Sequence, residues 1–352
     1  MGELYDRIWD FDNLYHAYRL TARGKRYEQE KLRFEMDLGT NLTALAVSLK
    51  EGTYHPHGYR TFMVTEPKQR MIHASAFPDR IVQHSLCDNV LRDWLERRLI
   101  YDCAACRTGK GTHFAIKRLT GFMSEHYRRY GCSGYILRIN VRKYFDNIDH
   151  GILKTLFAGF PDTKVRDLIY TIIDSYDPFG EGKGLPLGNQ TSQWFSLYYL
   201  DEMDRMIKEK MKIRGYSRYM DDMVLIHESK DYLKECLGIL ESFAENRRKI
   251  TFNAKTQIFP ISQGADYLGW HFYLTESGKV IRKLRTGNKK RMKRRLRAYR
   301  KQYETGMRDF EDIRQRIIST EAHLAHGHTY CLRRHIHRDL VFHSRSGHPS
   351  ET

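Results

Sequence analysis

Apolar residues recur at helical spacing through the first fifty residues of the chain. The periodic positions are Leu32, Phe34, Leu38, Leu42, Leu45 and Leu49. This spacing predicts a helical region, which the Gly and Pro residues of GTYHPHGY (52–59) bring to an end. Similar patterns predict helices at 80–100, 150–176 and 230–248, and one that follows the turn GLPLGNQTSQ (184–193).

Short apolar runs rich in β-branched and aromatic residues predict the strands. RTFMVT (60–65) is one of them, and a second strand follows the basic loop EPKQR (66–70). YILRINV (135–141) predicts a further strand. KITFNAKTQIF (249–259) predicts a strand and a loop, and DYLGWHFYL (266–274) predicts a strand. The chain therefore alternates helices with short strands.

The segment SRYMDDMVLIH (217–227) carries the strongest candidate chemistry. Apolar residues on both sides of Asp221 and Asp222 predict two short strands joined by a tight turn, with both carboxylates at its tip. Adjacent carboxylates repel each other, so a fold tolerates them best beside a cation such as Mg²⁺, which prefers oxygen ligands. An isolated Asp-Asp pair is more often a solvated turn, so the rest of the chain decides between the two interpretations.

The charge of the chain indicates a polyanionic partner. The 352 residues carry a net charge of +17, and a hydrophobic fraction of 41% indicates a globular protein. Twelve of the twenty residues in RKLRTGNKKRMKRRLRAYRK (282–301) are Lys or Arg, and none is acidic. This segment predicts a basic helix along a phosphate backbone, with Leu296, Ala298 and Tyr299 on a narrow packed side. The candidate nucleic-acid-binding residues are Lys289, Lys290, Arg291, Lys293, Arg294 and Arg295.

The loop RTGKGTH (107–113) is a second candidate for phosphate contact. Its spacing is not that of a Walker loop. Its glycines nevertheless free the backbone, and Arg107 and Lys110 supply positive charge.

Three features of the sequence indicate the cellular compartment of the protein. No apolar run is long enough to span a bilayer, and MGELYDRIWDFDNLY lacks the apolar core of a signal peptide. Cys103 and Cys106 form one CxxC without a second pair at zinc-finger spacing, which favours reduced structural thiols. These features predict a cytoplasmic protein without membrane association.

Four short motifs occur along the chain between residues 67 and 270. They are PKQR (67–70), INVRKYFDNIDH (139–150), YMDD (219–222) and YLGW (267–270). Together with the basic segment after them, they resemble a reverse transcriptase from about residue 10 to about residue 335. The resemblance implies an α+β fold of the right-hand polymerase type, with fingers, a palm containing an antiparallel sheet and a helical thumb.

The resemblance also implies a division of the chain into four regions. These are an N-terminal helical extension at 1–50, fingers at 51–134 with 151–183 inserted near the palm, a palm at 135–271, and a thumb with a basic C-terminal region at 272–352.

The same resemblance implies a catalytic centre on the palm. Two Mg²⁺ ions, for which Mn²⁺ can substitute, would assist transfer of a nucleotide to the primer 3′-hydroxyl. Asp221 is the expected direct ligand and Asp222 its weaker partner. Val141 would offer its backbone carbonyl to the nucleotide-bound ion, and Tyr219 is expected among the substrate-binding residues.

Residue 140, where the family carries its first palm Asp, is Asn in this chain. An amide oxygen can touch a metal but carries no charge, so both metal affinity and transition-state stabilisation should fall. Asp146 and Asp149 lie too far along the chain to replace it. Two explanations stay open for Asn140. One is an introduced Asp→Asn exchange that traps substrates, which the otherwise intact motifs favour; the other is a natural chain that is impaired or works differently.

Other positions match substrate-binding or catalytic residues of the family. Lys68 and Arg70 match the fingers cations that clamp the triphosphate, with surface salt bridging as the alternative. Tyr144 matches the aromatic ring that excludes a sugar 2′-hydroxyl, although residue type alone favours a core aromatic beside Phe145. Lys255 falls where the family has a lysine near the pyrophosphate leaving group, a general acid.

A subgroup of the family is indicated by Ser192-Gln193, which stands where most reverse transcriptases carry Gln-Gly. The Leu-Gly-x-x-x-Ser-Gln stretch that ends there resembles the reverse transcriptases of diversity-generating retroelements, as do GADYLGW (264–270) and HGHTYCLRR (326–334). Gln193 would begin the helix under the templating base. In that group the Ser-Gln signature is associated with error-prone copying.

The retroelement resemblance implies partners as well as an activity. They are a cognate structured template RNA, an RNA–DNA duplex, dNTPs and a small basic, oligomeric accessory protein, in a bacterial or phage-encoded system. A first alternative is an antiphage defence reverse transcriptase with a dedicated noncoding RNA. A second alternative, supported by Asn140, is a catalytically silent, polymerase-like RNA-binding protein.

Overall fold

The computed structural model describes residues 3–24, 28–65, 69–339 and 342. Four helices begin the chain: α1 (Glu3–Trp9), α2 (Phe11–Ala22), α3 (Gln29–Glu35) and α4 (Leu38–Lys50). The predicted helical region is confirmed. It is divided into four helices, and not every periodic apolar position is buried: Leu32 is exposed whereas Leu42 is buried. The Tyr5 hydroxyl donates to the Leu49 carbonyl at 2.6 Å, which joins α1 to α4.

A strand pair and three helices follow. β1 (Tyr59–Val64) pairs antiparallel with β2 (Arg70–Ser75). α5 (Phe77–Leu86) and α6 (Arg92–Glu96) are joined by a π-helical turn, and α7 (Thr112–Tyr130) comes after the glycine loop. The predicted strands and helix are confirmed, and α5 starts earlier than predicted because Pro78 fits its first turn. Lys68, which falls between β1 and β2 in the sequence, lies outside the described residues.

A four-stranded antiparallel sheet lies at the centre of the molecule, in the strand order β4-β5-β3-β6. Its strands are β3 (Tyr135–Asn140), β4 (Gly215–Tyr219), β5 (Asp222–His227) and β6 (Gln257–Pro260). The hairpin of β4 and β5 confirms the prediction made from the apolar residues around the two carboxylates. β3 pairs with β5 in a register that sets Asn140 opposite Asp222.

Five helices belong to the same region as this sheet. They are α8 (His150–Phe157), α9 (Thr163–Asp174), α10 (Gln190–Tyr199), α11 (Asp201–Arg205) and α12 (Lys230–Arg248). The single helix predicted at 150–176 is two helices, α8 and α9. Alternate strand residues bury both faces of the sheet: Leu137 and Leu225 belong to the larger apolar core, and Ile136 and Ile226 to a second core. The sheet is therefore an internal layer between two cores.

A second antiparallel sheet precedes the C-terminal helices. Its strands are β7 (Ala265–Tyr267), β8 (Trp270–Leu274) and β9 (Val280–Leu284). The basic segment begins as β9 and becomes helical only at Thr286. The helices are α13 (Thr286–Glu304), α14 (Phe310–Ala325) and α15 (Tyr330–Asp339).

A small apolar core holds these last helices together. Met292 and Leu296 of α13 are buried with Leu324 of α14, and Tyr299 packs against them. The packed side predicted for the basic helix is thus confirmed for Leu296 and Tyr299. It is wrong for Ala298, which is exposed, because Met292 takes the place one turn before Leu296.

The largest apolar core runs from Tyr5 to Ile250 and joins the N-terminal helices to the central sheet. The division of the chain into extension, fingers, palm and thumb stays a prediction. All six cysteines are free thiols. Within the described ranges, no helix combines the length and apolar character needed to cross a membrane.

Candidate active site

The turn that joins β4 to β5 has two residues, Met220 and Asp221, because Tyr219 pairs with Asp222. Met220 has a φ of 55°, in the left-handed region that residues other than glycine rarely adopt. Two-residue hairpin turns need such an angle at their first position. The Tyr219 hydroxyl accepts a hydrogen bond from Thr112 Oγ1 at 3.4 Å. Strain at a hairpin tip persists only where the surroundings hold it, which marks this turn as a candidate functional site.

A buried ion pair beneath the turn supplies that support. Arg218 and Asp204 are each 0% exposed, and Arg218 Nε donates to Asp204 Oδ1 at 2.7 Å. Arg218 Nη1 also donates to the Met220 carbonyl at 3.0 Å, and the Tyr216 hydroxyl donates to the Asp204 carboxylate at 2.5 Å. The ion pair thus joins β4, α11 and the strained turn.

This ion pair was not predicted from the sequence. Its signal is the positive charge of Arg218 within a strand that the apolar pattern around the hairpin predicts to be buried, since a buried arginine needs a carboxylate partner. The partner lies in α11, whose first turn carries three acids: Asp201, Glu202 and Asp204. Which of the three faces Arg218 follows only from tertiary packing.

Strand β3 gives each carboxylate of the hairpin a partner of its own. Asn140 Nδ2 donates to Asp221 Oδ2 at 3.2 Å. Two residues earlier, Arg138 donates to both oxygens of Asp222, from Nε and Nη2, each at 3.1 Å. The structure brings Asn140, Asp221 and Asp222 together, and it adds Arg138, which was not among the predicted site residues.

The two carboxylates differ in how their charge is compensated. Burial raises the pKa of Asp221, and the charge of Asp222 raises it further, whereas Asn140 and Arg70 lower it. Burial also raises the pKa of Asp222, and Arg138 opposes that shift. A buried carboxylate is costly unless a positive charge compensates it. Arg138 compensates Asp222 directly, which leaves Asp221 as the acid that most needs a cation.

The donor groups around Asp221 fit a hard divalent ion. Asp221 offers carboxylate oxygens, Val141 offers its backbone carbonyl, and Asn140 offers an amide oxygen if its amide is turned over. The Val141 N–H donates to the Asp221 carbonyl at 3.4 Å, so these groups are neighbours. Among the residues that the structure describes, no group of three or more His, Cys, Asp or Glu side chains could hold a metal. The protein therefore offers less negative charge here than the three carboxylates of the family pattern.

Lys255 lies on a turn that is hydrogen-bonded to the end of β3. The Asn253 N–H donates to the Asn140 carbonyl at 2.7 Å, and the Lys255 N–H donates to Asn253 Oδ1 at 3.1 Å. The Lys255 side chain is exposed. The lysine therefore sits at the same end of the sheet as Asp221, and its role as a general acid stays a prediction.

A cavity of about 930 Å³ opens between the β1–β2 hairpin and the loop before α10. Arg70 lines it, and the same arginine lowers the pKa of Asp221, so the cavity lies within electrostatic reach of the hairpin turn. Lys143, on the turn after β3, also lines the cavity. Two acids, Asp146 and Glu181, line the same cavity. The size of the cavity suits a nucleoside triphosphate, whose phosphates would contact its cations. The role of Arg70 as a triphosphate clamp stays a prediction.

Tyr144 lies in the apolar core. Its side chain is 3% exposed, and its hydroxyl donates to the Ser196 carbonyl at 2.5 Å. Burial raises the pKa of this hydroxyl well above its ordinary value. Tyr144 therefore occupies the core position that its residue type favours. The neighbouring ring of Phe145 is more exposed than that of Tyr144. The steric role towards the sugar stays a prediction.

Tyr144→Phe is expected to lower the free energy of unfolding by about 1 kcal/mol, because it removes the hydroxyl that donates to the buried Ser196 carbonyl. Urea denaturation followed by tryptophan fluorescence measures the change. Tyr330→Phe is the control, since Tyr330 is 69% exposed. A loss no larger than that of the control would show that the Tyr144 hydroxyl contributes nothing to stability.

Helix α10 begins at Gln190, so Gln193 lies in its first turn and not at its first residue. Asn189, which precedes the helix, donates to Ser75 Oγ at 2.7 Å. This contact ties the start of α10 to β2. Gln193 is partly exposed, and its contact with the templating base stays a prediction.

The phosphate-binding role predicted for Arg107 is wrong, because its charge is used inside the protein. Arg107 is 8% exposed; its Nε donates to Glu96 at 2.7 Å and its Nη1 to the Ile100 carbonyl at 2.6 Å. Lys110 is also engaged, since its Nζ donates to the Tyr101 carbonyl at 2.7 Å. Arg107 therefore does not present its charge to phosphate, whereas Lys110 is partly exposed and its contact with phosphate stays a prediction.

The basic residues of α13 lie on the surface. Lys289, Lys290, Arg291, Arg294 and Arg295 are exposed, and Lys293 is partly exposed. Arg291 and Arg295 line a groove of about 700 Å³ between α13 and α14, together with Gln315 and Thr320. Their contact with nucleic acid stays a prediction, which this exposure supports.

The palm of a nucleotide-transferring polymerase is defined by these features: a carboxylate-bearing hairpin, a polar residue at the end of the neighbouring strand and a cation-lined cavity beside them. The chain belongs to the reverse transcriptase (RNA-dependent DNA polymerase) family, whose model matches residues 64–272, more than half of the chain. The matched span contains β3, the hairpin and all described lining residues of the cavity except Thr61.

Solved structures with a similar fold include two yeast telomerases. The telomerase of Candida albicans, in complex with a TWJ fragment of telomeric RNA, is 12% identical with a TM-score of 0.50, over 66% of this chain and 46% of that chain. The apo telomerase of Candida tropicalis is 12% identical with a TM-score of 0.50, over 65% and 49%. The chain thus spans about half the length of these structures.

The family match and the similar structures together confirm the predicted α+β, right-hand polymerase fold. The comparison with curated proteins returned no match.

Proposed function

We propose that this chain is an RNA-directed DNA polymerase that copies a cognate structured RNA by metal-assisted nucleotidyl transfer. The observation that carries the proposal is the contact between Asn140, at the end of β3, and Asp221, on the hairpin turn. Two segments far apart in sequence meet there with oxygen donors suited to a hard cation. Membership of the family supports nucleotidyl transfer as the reaction.

Each group of the centre has a distinct part in the proposed reaction. Asp221 supplies the negative charge, and Asn140 and Val141 supply neutral oxygens. When bound, Mg²⁺ or Mn²⁺ lowers the pKa of the primer 3′-hydroxyl and stabilises charge on the triphosphate. Lys68 and Arg70 orient the triphosphate through charge-assisted hydrogen bonds, which holds the reacting groups in line.

An RNA template and an RNA–DNA duplex are the proposed partners. The net charge of +17 and the exposed cations of α13 provide a phosphate-binding surface. The Candida albicans telomerase, which shares the fold, is described in complex with a fragment of telomeric RNA. We expect duplex binding to weaken steeply as the salt concentration rises, since each phosphate contact releases counterions.

Template choice tests the proposed function. The Asn140→Asp form receives dNTPs, Mg²⁺ and one annealed primer on matched RNA and DNA templates. We expect extension on the RNA template, because the restored carboxylate completes the metal-binding charge. Extension on the DNA template alone would contradict the proposal. Tight duplex binding with no extension on either template would favour the catalytically silent alternative.

Within the family, we propose the diversity-generating retroelement type. Its support is the stretch Leu187-Gly188 to Ser192-Gln193, which leads into α10 beneath the hairpin. Error-prone copying and a small basic, oligomeric accessory protein belong to this proposal.

RNA recovered with the protein from its native host tests the retroelement proposal. A template RNA that matches a variable gene supports it. A short structured RNA without a genomic target would favour the defence alternative. Recovery of RNA without any second protein would count against the accessory partner.

A further inference from the structure

Arg138 is the cation that contacts the second carboxylate of the hairpin. Its Nε and Nη2 each lie 3.1 Å from one oxygen of Asp222, so the guanidinium and the carboxylate meet as a two-pronged pair. The side chains are partly enclosed, at 26% and 17% exposure. Such paired hydrogen bonds fix the orientation of a carboxylate more firmly than a single contact does.

The register of the sheet explains why Arg138 reaches Asp222. Asn140 is opposite Asp222 and Arg138 is opposite Val224 on the same ladder, so Arg138 and Asn140 share a face of β3. The long arginine side chain extends along the strand towards the hairpin end. Arg285 also lowers the pKa of Asp222, but its Nε lies 2.9 Å from Asp266.

We infer that Arg138 is a positioning residue that holds Asp222 as a charge-compensated acid and leaves Asp221 as the carboxylate that binds the metal. This inference rests on the proposed function. It gives a structural reason for the weaker part that the resemblance implies for Asp222, because Arg138 contacts both of its oxygens. The hairpin then offers a divalent ion the charge of one carboxylate, and residue 140 decides whether a second charge is added.

Mn²⁺ binding to the purified full chain, followed by electron paramagnetic resonance without nucleic acid, tests the inference. Arg138→Gln is expected to bind Mn²⁺ about tenfold more tightly, because the charge of Asp222 is no longer compensated. The effect stays moderate because the pair is partly exposed and solvent screens it. Arg129→Gln is the matched control, since it removes an arginine from an exposed ion pair with Glu125 on α7 and should leave Mn²⁺ affinity unchanged.

A second variant keeps the test decisive if Arg138→Gln does not fold. The double variant of Arg138→Gln and Asp222→Asn removes both charges and leaves no buried charge unpaired. Its Mn²⁺ affinity should stay within about twofold of the unchanged chain, since the charge around Asp221 is the same. A loss of Mn²⁺ binding in this double variant would show that Asp222 is itself a ligand, which overturns the inference.

The inference is overturned if folded Arg138→Gln binds Mn²⁺ no more tightly than the unchanged chain does. If the only effect of Arg138→Gln is a lower unfolding midpoint, the role of Arg138 is merely structural. In the Asn140→Asp form, Arg138→Lys should keep Mn²⁺ affinity within about twofold, because lysine keeps the positive charge. It should lower the kcat of nucleotide addition, because lysine cannot form the paired hydrogen bonds that orient Asp222. Failure of the Asn140→Asp form to copy RNA would reject the proposed function. The Mn²⁺ affinities would still test the role of Arg138, because their measurement does not require activity.

Discussion

Arg218→Met is expected to lower the free energy of unfolding by about 3 to 5 kcal/mol. The substitution leaves Asp204 fully buried without the guanidinium that now donates to it at 2.7 Å. Methionine fills part of the space without charge, so the loss of stability comes mainly from the unpaired carboxylate of Asp204. A loss of this size offsets a large part of the net stability of a typical domain. Urea denaturation followed by tryptophan fluorescence measures it.

Two variants serve as controls for Arg218→Met. The double variant of Arg218→Met and Asp204→Leu removes both charges and should recover a large part of the lost stability. Arg314→Met breaks an exposed ion pair with Glu311, whose side chains are 57% and 59% exposed, and should change stability by no more than about 0.5 kcal/mol. If Arg218→Met costs no more than Arg314→Met, the buried pair does not support the hairpin.

Asn140→Asp is expected to raise Mg²⁺-dependent deoxynucleotide addition by about a hundredfold or more. The amide nitrogen that now lies 3.2 Å from Asp221 Oδ2 is replaced by a carboxylate oxygen, so a divalent ion gains a second charged ligand. The rate of single-nucleotide addition to a primer on an RNA template, compared with that of the unchanged chain, measures the effect. Equal rates for both chains would show that Asp221 suffices and that the charge at position 140 is dispensable.

The same substitution has a second signature that does not depend on activity. In the unchanged chain, Asn140 donates a hydrogen bond to Asp221. In Asn140→Asp without metal, the new carboxylate repels Asp221, so the unfolding midpoint should fall below that of the unchanged chain. Mg²⁺ binds the folded form and should raise the midpoint of Asn140→Asp more than that of the unchanged chain. Asn246→Asp, at an exposed position of α12, should show no such gain. Equal Mg²⁺ stabilisation of all three chains would contradict a metal site at residue 140.

The hairpin and most of the elements follow from the sequence because their signals are local. Alternating apolar residues on both sides of Asp221 and Asp222 predict the two strands, and the helix predicted at 230–248 is α12 (Lys230–Arg248). The breaks inside longer helical patterns were harder to predict. The interruption between α8 and α9 lies within one continuous helical signal, and tertiary packing decides it.

The partners of charged residues could not be predicted, because charge alone does not reveal what a side chain meets. The sequence predicts that Arg107 contacts phosphate, yet Arg107 is buried against Glu96. Arg138 and Arg218 carry the same charge and both lie in the central sheet. Their partners, Asp222 and Asp204, depend on strand register and on the packing of α11, which no local pattern encodes.

Asp221 is the proposed metal-binding acid of an RNA-copying polymerase. The decisive measurement is single-deoxynucleotide addition on an RNA template, over a range of Mg²⁺ concentrations, by Asn140→Asp with and without Asp221→Asn. We expect addition by Asn140→Asp that rises with Mg²⁺, and a loss of at least about a hundredfold when Asp221→Asn is added. Undiminished addition by the double variant would contradict the central claim.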